Sequence, residues 1–426
     1  METFLIVLAF LLLFQSALAL IAGLRFGRYA LRATSSRLDR YCPKAAVIVP
    51  CKGLEADFEE NICALFAQDY RDYELIFVTE SEADPAYPVL DRLIKQSQRS
   101  AWLVVAGEAE ACGQKVHNLC AALETLNAVD RRAEVLVFAD SDARPTPDWL
   151  GELVAPLGHQ KIGATTGFRW YLPVRGGFWS FLLSTWNASA LSMLGEKSRF
   201  AWGGATAIRR ENFEKLGVKR QWGGALSDDY VLTRAVKAAG QQIKFVPSCL
   251  MATHADASLG ELLEFTTRQI TITRVYAPRL WSIVFASHLL FSFTFWSSLI
   301  WLTVQGPSGG LNEKLAWLLT GIFALGAITG CLRGIIAAQL LAADRRGVQK
   351  CRWAYLLLGP ASSLLYLYNA LVSLWTKRIV WRGISYEMIS PRETAILYRP
   401  TPPNSPDSAA GLPRPRRASA RSSSSS

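Results

Sequence analysis

The chain is poor in charge and in the residues that build metal or disulfide frameworks. Charged residues make up 19% of its 426 positions, half of the positions are apolar, and only four are histidine. The eight cysteines show no CxxC spacing and no cysteine–histidine pairing at metal-ligand distance, which favours reduced thiols that pack in a core. So little charge excludes an ordinary soluble enzyme of this size, whereas 46 basic and 35 acidic residues are too many for a pure bundle of membrane helices.

The formal net charge of +11 does not indicate nucleic-acid binding, because the basic residues flank apolar runs. The first run, residues 3–24, contains no charge and is long enough to cross a bilayer, and it is too long for the core of a signal peptide. Arg25, Arg28 and Arg32 follow it, so the positive-inside rule places the next segment in the cytoplasm. We therefore predict an N-terminal anchor at residues 1–24, rather than a cleaved signal peptide, and a cytoplasmic domain at 25–280.

Three further apolar stretches follow, at residues 281–305, 315–343 and 353–375. Four full crossings would leave Lys377, Arg378 and Arg382 outside, against the positive-inside rule, so the last stretch either breaks the rule or re-enters the membrane. We predict a transmembrane and interfacial region at 281–398, in a multi-pass integral membrane protein. The tail at 399–426 is rich in proline, serine and arginine, cannot bury a core, and is predicted to be disordered.

Between residues 45 and 250, short apolar runs alternate with helical patterns, which predicts an α/β fold with a mostly parallel sheet. In such sheets, ligands bind beyond the carboxyl ends of the strands, so the polar residues that follow each strand are the candidates for a site. Helices are predicted at 57–68, with Asp57 as N-cap, and at 116–129. The predicted strands are residues 45–49, 74–78, 102–105, 134–138 and 243–246.

Charged side chains follow the first, second and fourth predicted strands. Asp140 and Asp142, separated by one residue, can hold a divalent cation from one side and leave coordination positions open for phosphate oxygens. Such triplets are common in surface turns, but this one follows a buried strand and precedes a proline. The residues after the first two strands that are candidates for the same site are Pro50, Lys52, Glu80, Glu82 and Asp84.

Two predicted helix starts carry further candidates. Lys115, after Gly113 at a helix start, can place its ammonium group and free backbone amides against a diphosphate, or it is simply a solvated residue. Asp228 and Asp229 also open a helix. They either complement the helix dipole or supply a carboxylate that takes a proton from an attacking hydroxyl.

An aromatic stretch inside the predicted cytoplasmic domain, about residues 178–194, is too short to span a bilayer. Its tryptophans and phenylalanines are interspersed with serines, which is typical of a helix at a membrane interface. An ordinary buried helix is the alternative. If the stretch lies at the interface, the site opens onto the bilayer and a lipid hydroxyl can reach it.

As an ordered set, these motifs resemble an inverting glycosyltransferase with the Rossmann-like GT-A fold. The set is most similar to the ceramide glucosyltransferase family and its bacterial relatives, including hopanoid-associated glycosyltransferases, and the likeness runs from the anchor to about residue 390. The segments that carry it are Pro50-Cys51-Lys52-Gly53, the acidic cluster Glu80 to Asp84, Gly113-Gln114-Lys115, Asp140-Ser141-Asp142, Trp202-Gly203-Gly204, Ser227-Asp228-Asp229 and Arg268-Gln269.

The resemblance implies transfer of a hexose, glucose from UDP-glucose, to a lipid hydroxyl such as that of ceramide, with a divalent cation, Mg²⁺ or Mn²⁺. It assigns nucleoside contact to the acidic cluster, the diphosphate to Lys115 and the metal to Asp140 and Asp142. Asp229 matches the catalytic base, and Asp228 takes that role if the alignment is one residue off. The remaining implied substrate-binding residues are Trp202, Gly203, Gly204, Arg268 and Gln269.

One motif departs from the family pattern, which is Gln or Arg, two further residues, then Arg-Trp. Counted from Arg268, Thr271 and Ile272 occupy the Arg-Trp positions, and Arg274 is the candidate for the missing cation. Residues 381–386 also resemble a segment that follows the last membrane helix of related transferases, with an interfacial anchor as the alternative.

Two other classes compete with this interpretation. A processive polysaccharide synthase shares the catalytic set but needs more membrane helices and a complete final motif. A non-catalytic adaptor or transporter with a transferase-like domain predicts loss of the acidic positions, and all of them are present.

Overall fold

Buried apolar runs form the central sheet of the protein, whose computed structural model describes residues 2–35, 41–55, 57–128, 133–309 and 312–400. The five predicted strands are observed, together with β5 and β6, which were not predicted, and β7 extends eight residues beyond its predicted end at residue 246. The strands of this main sheet are β1 Ala45–Pro50, β2 Tyr73–Thr79, β3 Ala101–Val105, β4 Val135–Ala139, β5 Ile162–Leu172, β6 Ala205–Arg209 and β7 Gln242–His254.

The strand order of the main sheet is β3-β2-β1-β4-β6-β5-β7. Strands β1 to β4 are parallel where they pair, β6 runs antiparallel to both β4 and β5, and β5 and β7 are parallel to each other. The order reverses between β1 and β4, and a reversal of this kind opens a crevice at the carboxyl ends of the two strands. The mostly parallel α/β fold predicted from the sequence is therefore confirmed.

Helices cover the main sheet and extend from both ends of the α/β domain. Short 3₁₀ turns lie at Ala155–Gly158 and Ala190–Met193. The α-helices are α1 Glu2–Ser35, α2 Phe58–Phe66, α3 Ala86–Gln96, α4 Gln114–Ala128, α5 Trp149–Val154, α6 Phe178–Ser189, α7 Arg210–Lys215, α8 Val218–Trp222, α9 Asp228–Ala238, α10 Leu259–Tyr276, α11 Pro278–Gly309, α12 Glu313–Leu340, α13 Arg345–Lys350, α14 Arg352–Leu357 and α15 Gly359–Trp375.

Alternation along the strands divides the core into two layers. In β1, Val47 and Val49 pack on one face of the sheet, whereas Ala46 and Ile48 pack on the other. Because successive side chains of a strand point to opposite faces, a strand that is apolar at every position must be covered on both sides. Helices α2, α3 and α5 contribute to the first layer and α4 and α9 to the second.

The predicted ends of two helices are shifted. Helix α2 begins at Phe58, and Asp57 makes no side-chain capping bond because its backbone is left-handed, with φ of 59°. Asp57 is therefore at the predicted N-cap position, but the prediction that its side chain caps the helix is wrong. Helix α4 begins at Gln114, two residues before its predicted start, so Lys115 lies in its first turn.

Three helices in the described part of the chain are long and apolar enough to cross a membrane: Glu2–Ala33, Pro278–Val304 and Glu313–Leu340. The predicted stretch at 353–375 does not form a fourth, because it is divided at Leu358 between α14 and α15. Pro360 follows the break, and proline both lacks an amide donor and clashes with the preceding turn. If these three helices all cross the membrane, the chain returns, after α12, to the side of the α/β domain, and the conflict with the positive-inside rule is removed.

After α15, the chain forms a small antiparallel sheet that was not predicted. This C-terminal sheet consists of β8 Arg378–Trp381, β9 Ile384–Ser390 and β10 Glu393–Tyr398, in the order β10-β9-β8. Its side chains Tyr386 and Met388 pack with Leu226 and Ile272 of the α/β domain. Residues 399 and 400 of the predicted disordered tail are in place, and 401–426 lie outside the described residues.

The aromatic stretch at 178–194 forms α6 and the 3₁₀ turn that follows it. Phe178 and Trp179 are exposed, but Leu182, Leu183 and Trp186 are buried in a cluster with residues of α10, α11 and α15. Only the first turn of α6 is therefore available to a membrane surface.

Glycines of α12 allow α14 to approach closely. A Cβ added at Gly330 would overlap the carbonyl oxygen of Tyr355, whereas one added at Gly326 would meet nothing within 4 Å. We predict that Gly330→Ala destabilises the protein by about 2 kcal/mol through overpacking. Gly326→Ala, four residues earlier on the same helix, should leave stability unchanged or slightly raised.

Thermal unfolding of the two variants in the same detergent measures this difference. Equal melting temperatures would show that α14 does not pack on α12 in this way.

Candidate active site

Lys115 joins two acidic segments at the carboxyl edge of the main sheet. Its ammonium group lies 2.8 Å from Asp140 Oδ1, after β4, and 3.5 Å from Asp228 Oδ1, at the start of α9. Burial alone would lower the pKa of Lys115, but Asp140 and Asp228 outweigh it and hold the pKa above its ordinary value. Lys115 is therefore a fixed positive charge between the two carboxylates.

Arg169, on β5, binds the other side of the carboxylate pair. One guanidinium nitrogen lies 2.7 Å from Asp140 Oδ2 and another 2.7 Å from Asp142 Oδ2, while the group stacks 4.7 Å from the ring centre of Trp202. Burial tends to raise the pKa of Asp140, yet Lys115 and Arg169 keep it below its ordinary value. Asp142 Oδ1 is buried and has no hydrogen-bond partner, so one carboxylate oxygen remains available for a ligand.

The two carboxylates at the start of α9 differ in their surroundings. Asp228 is buried beside Lys115. Burial raises the pKa of Asp228 to about 6; the positive charge of Lys115 opposes this effect, and the negative charges of Asp229 and Asp140 add to it. Asp229 is partly exposed, and its Oδ1 accepts hydrogen bonds from Ser227 Oγ and from the amide of Tyr230. Asp229 is the one of the two that forms no ion pair with a cation in the described contacts.

Gly203 and Gly204 lie where no side chain fits. A Cβ at Gly203 would overlap Asp228 Oδ2, and one at Gly204 would overlap the Trp202 ring and lie 2.5 Å from Asp140 Oδ2. Trp202 itself is buried, and its amide donates to Thr166 Oγ1 over 2.8 Å. The Trp-Gly-Gly segment therefore allows the carboxylates of β4 and α9 to converge.

The acidic cluster after β2 divides into three kinds of residue. Glu80 is paired with Lys52 and with Arg399. Asp84 accepts from the amides of Gly53 and Ala86, each at 2.9 Å, and so shapes the loop after β1. Glu82 is exposed.

A cavity of about 420 Å³ opens at this edge of the sheet. Glu80, Trp202 and Asp228 contact residues of its wall, and Asp229 adjoins Asp228 in the chain. The predicted site residues that line the cavity directly are Pro50, Lys52, Lys115, Asp140, Asp142, Arg268 and Gln269.

Arg274 is not brought to this cavity, so it does not replace the missing motif cation there. Its guanidinium donates to the carbonyl of Ser373 on α15 and stacks over Trp281. The prediction fails because Arg274 lies six residues from Arg268, which turns it toward the neighbouring apolar helices. Thr271 and Ile272, at the Arg-Trp positions, are buried as well.

Sequence reasoning missed several residues of the cavity wall. Arg169 is a lone cation in an otherwise apolar strand segment, which was the available signal. Glu55 lies in the loop after β1, and burial, with Asp142 nearby, raises its pKa. Trp381 and Arg382 were noted in the sequence only as part of the segment 381–386 that resembles related transferases; they reach the cavity from the C-terminal sheet, more than 100 residues from the other site segments.

The strand order, with carboxylates and a buried lysine at the switch between β1 and β4, is the arrangement expected of a glycosyltransferase of the GT-A fold. The chain belongs to Glycosyl transferase family 21, which it matches over residues 5–393. The predicted family resemblance is thereby confirmed, and the predicted enzyme is confirmed as a glycosyltransferase, whereas transfer of a hexose stays a prediction.

The chain is also similar to curated relatives from Caenorhabditis elegans. It is 23% identical to ceramide glucosyltransferase 1 over 47% of its own length and 21% identical to ceramide glucosyltransferase 3 over 65%. These alignments span only 44% and 61% of the relatives' lengths. Among solved structures, it resembles a mannosyltransferase from Pyrobaculum calidifontis in complex with GDP-Man and Mn²⁺, with 19% identity, a TM-score of 0.46, and 87% and 99% of the two chains covered.

The tight packing at Gly204 predicts a selective loss of activity. Gly204→Ala must displace the Trp202 ring or Asp140, so we expect sugar transfer to fall at least about tenfold, in line with misplacement of catalytic groups. Gly195→Ala, which meets nothing within 4 Å, is the matched control. Turnover in purified membranes, with melting temperature measured in parallel, tests this, and wild-type turnover in Gly204→Ala would contradict the packing described.

Proposed function

We propose that this glycosyltransferase moves glucose from UDP-glucose to a hydroxyl group of a membrane lipid, with ceramide as the first candidate. The observation that carries the proposal is the continuity between the cavity and the apolar helices. Tyr171 and Phe265 line the cavity and also belong to the apolar cluster that includes Trp281 and Phe285 of α11. A lipid acceptor could therefore approach the catalytic edge from the side of a candidate membrane span. The ceramide glucosyltransferases among its relatives support the same acceptor and sugar.

The proposed reaction is a single inverting displacement. The lipid hydroxyl attacks the anomeric carbon of the sugar, its proton passes to Asp229, and the bond to the nucleoside diphosphate breaks. Lys115 stabilises the charge that develops on the leaving diphosphate. Asp228 already neutralises Lys115, so we assign it the role of positioning the lysine, whereas the partly exposed Asp229 is better able to accept a proton.

A divalent cation fits the pair Asp140 and Asp142. Two carboxylates on one side, with a free oxygen on Asp142, match the ligands that Mg²⁺ and Mn²⁺ take in sites shared with substrate phosphates. Among the described residues, no group of three or more histidine, cysteine, aspartate or glutamate side chains is arranged to hold a metal ion, so substrate oxygens and water would complete the coordination. Such an ion would supply further charge stabilisation for the leaving diphosphate, and it would compete with Arg169 for the carboxylates.

We also propose that the protein is a multi-pass membrane protein whose catalytic domain faces the cytoplasm. With three crossings, two basic groups adjoin the same membrane face. They are Arg25, Arg28 and Arg32 in the C-terminal part of the first candidate span, and Arg345, Arg346, Lys350 and Arg352 after the third. The positive-inside rule then supports a cytoplasmic location for both. Three candidate spans in the described ranges give little support to a polymer-secreting synthase.

The two aspartates of α9 should respond differently to substitution. We predict that Asp229→Asn lowers the turnover number by about 10² to 10⁴ and leaves the KM for the donor within about twofold, as loss of a general base does. Asp228→Asn should instead raise the donor KM, because Lys115 loses one of its two partners. Purified enzyme with labelled UDP-glucose and ceramide measures both.

Product lipids from cells that express the chain, identified by mass spectrometry, test the substrates independently. If Asp228→Asn abolishes transfer while Asp229→Asn does not, Asp228 is the base. If the wild type glucosylates no lipid, the proposed function is wrong.

The cation assignment predicts that EDTA abolishes transfer and that Mn²⁺ or Mg²⁺ restores it. Asp142→Asn should weaken Mn²⁺ binding at least about tenfold, since one of two carboxylate ligands is lost. Asp91→Asn, an exposed residue of α3 that pairs with Lys95, is the control. Electron paramagnetic resonance of free Mn²⁺ gives the affinity without any reaction. Full activity in EDTA would contradict a metal-assisted reaction.

A further inference from the structure

The turn between β8 and β9 holds an arginine in an uncommon conformation. Trp381 pairs with Ile384, so the loop consists of Arg382 and Gly383 only, and their φ angles are 53° and 79°. Two-residue turns of this kind favour Asn-Gly or Gly-Gly, because an ordinary side chain is strained at positive φ. An arginine retained at such a position points to a role for its side chain.

The side chain of Arg382 lies in the wall of the catalytic cavity. It forms an ion pair with Glu55, and both residues line the cavity with Lys115, Asp140 and Asp142. Its neighbour Trp381 stacks on Arg268, whose guanidinium lies 5.7 Å from the indole centre and donates to the carbonyl of Val380. The C-terminal sheet therefore places an arginine and a tryptophan directly beside Arg268, where the incomplete family motif of α10 begins.

Helix α10 cannot supply those two side chains itself. Thr271 is fully buried and donates to the carbonyl of Thr267. Ile272 is buried with Ile379, Ile384 and Tyr386 of the C-terminal sheet. A long side chain at position 272 would therefore face these packed apolar groups rather than the cavity, and Ile272 instead packs against the sheet that carries Trp381 and Arg382.

Arg382 is also the most accessible of the cations that line the cavity and form ion pairs. Its side chain is 38% exposed, compared with 28% for Lys52 and 14% each for Lys115, Arg169 and Arg268. Lys115 and Arg169 are each held by two carboxylates, whereas Glu55 is the only carboxylate paired with Arg382 among the described residues. An entering anion can therefore reach Arg382 more easily than the others.

We propose that Arg382 is a donor-binding residue that contacts the diphosphate of the nucleotide sugar, in place of the arginine missing from α10. The inference rests on the proposed function in that it assumes a nucleoside diphosphate donor. Binding would exchange the Glu55 carboxylate for phosphate oxygens, which accept charge-assisted hydrogen bonds from a guanidinium group.

Arg382→Gly removes the guanidinium group but preserves the turn, because glycine adopts positive φ without strain. Calorimetric titration of the full-length protein in detergent with Mn²⁺ should give a UDP Kd at least about tenfold higher than wild type, as loss of a charge-assisted bond predicts. The UMP Kd should change by less than about twofold, since UMP lacks the second phosphate. The melting temperature should be equal or higher, and Arg382→Lys should recover part of the UDP affinity.

Arg378→Gln is the matched control, since Arg378 is an exposed residue of β8 that pairs with Glu387 at 3.3 Å and does not line the cavity. It should leave both affinities unchanged. Equal UDP affinity in Arg382→Gly and wild type, or equal losses for UDP and UMP, would overturn the role of Arg382. A wild-type protein that binds neither UDP nor GDP would instead overturn the proposed donor class, and this inference with it.

Discussion

The ion pairs of Lys115 with Asp140 and Asp228 are the interaction on which the site depends. The two carboxylates come from different parts of the fold, one after β4 and one at the start of α9, and neither is stable as an isolated buried charge. A single ammonium group between them makes their convergence possible. The absence of side chains at Gly203 and Gly204 leaves the room for it. Sequence motifs that are far apart in the chain are thus parts of one electrostatic arrangement.

Long apolar helices precede and follow the α/β domain, and they place apolar side chains close to the charged site. Helix α1 packs against α11 and α12, so the three candidate membrane spans form one group of helices. Helix α10 connects that group to the cavity, because Phe265 and Arg268 line the cavity while Leu262 and Ile270 pack in the apolar cluster beneath it. Polar chemistry and apolar packing therefore lie within one or two turns of the same helix. That proximity is what the proposed reaction between a charged donor and a lipid acceptor requires.

Much of the parallel half of the sheet is predictable from the sequence, because β1, β2 and β4 are short apolar runs bounded by polar residues. Strand β5 is not, since Gly163, Thr165 and Arg169 interrupt its apolar pattern, and Arg169 is there to bind the site carboxylates. The clustering of Lys115 with Asp140 could also be predicted, because parallel strands bring their carboxyl ends together. That the C-terminal sheet contributes Trp381 and Arg382 to the cavity could not be predicted, since it depends on how many of the apolar stretches cross the membrane.

The number of membrane crossings is connected with the family motif that lacks Arg-Trp on α10. With four crossings, residues 376–400 would lie on the side of the membrane opposite the α/β domain and could not contribute to its cavity. With three, the C-terminal sheet packs on α10 through Ile272, and Trp381 stacks on Arg268 from the neighbouring sheet. Loss of Arg-Trp from α10 is then physically compatible with a complete cavity, because an isoleucine at that position packs against the element that brings another arginine. A motif specifies which side chains must reach a cavity, and a different part of the chain can meet that requirement.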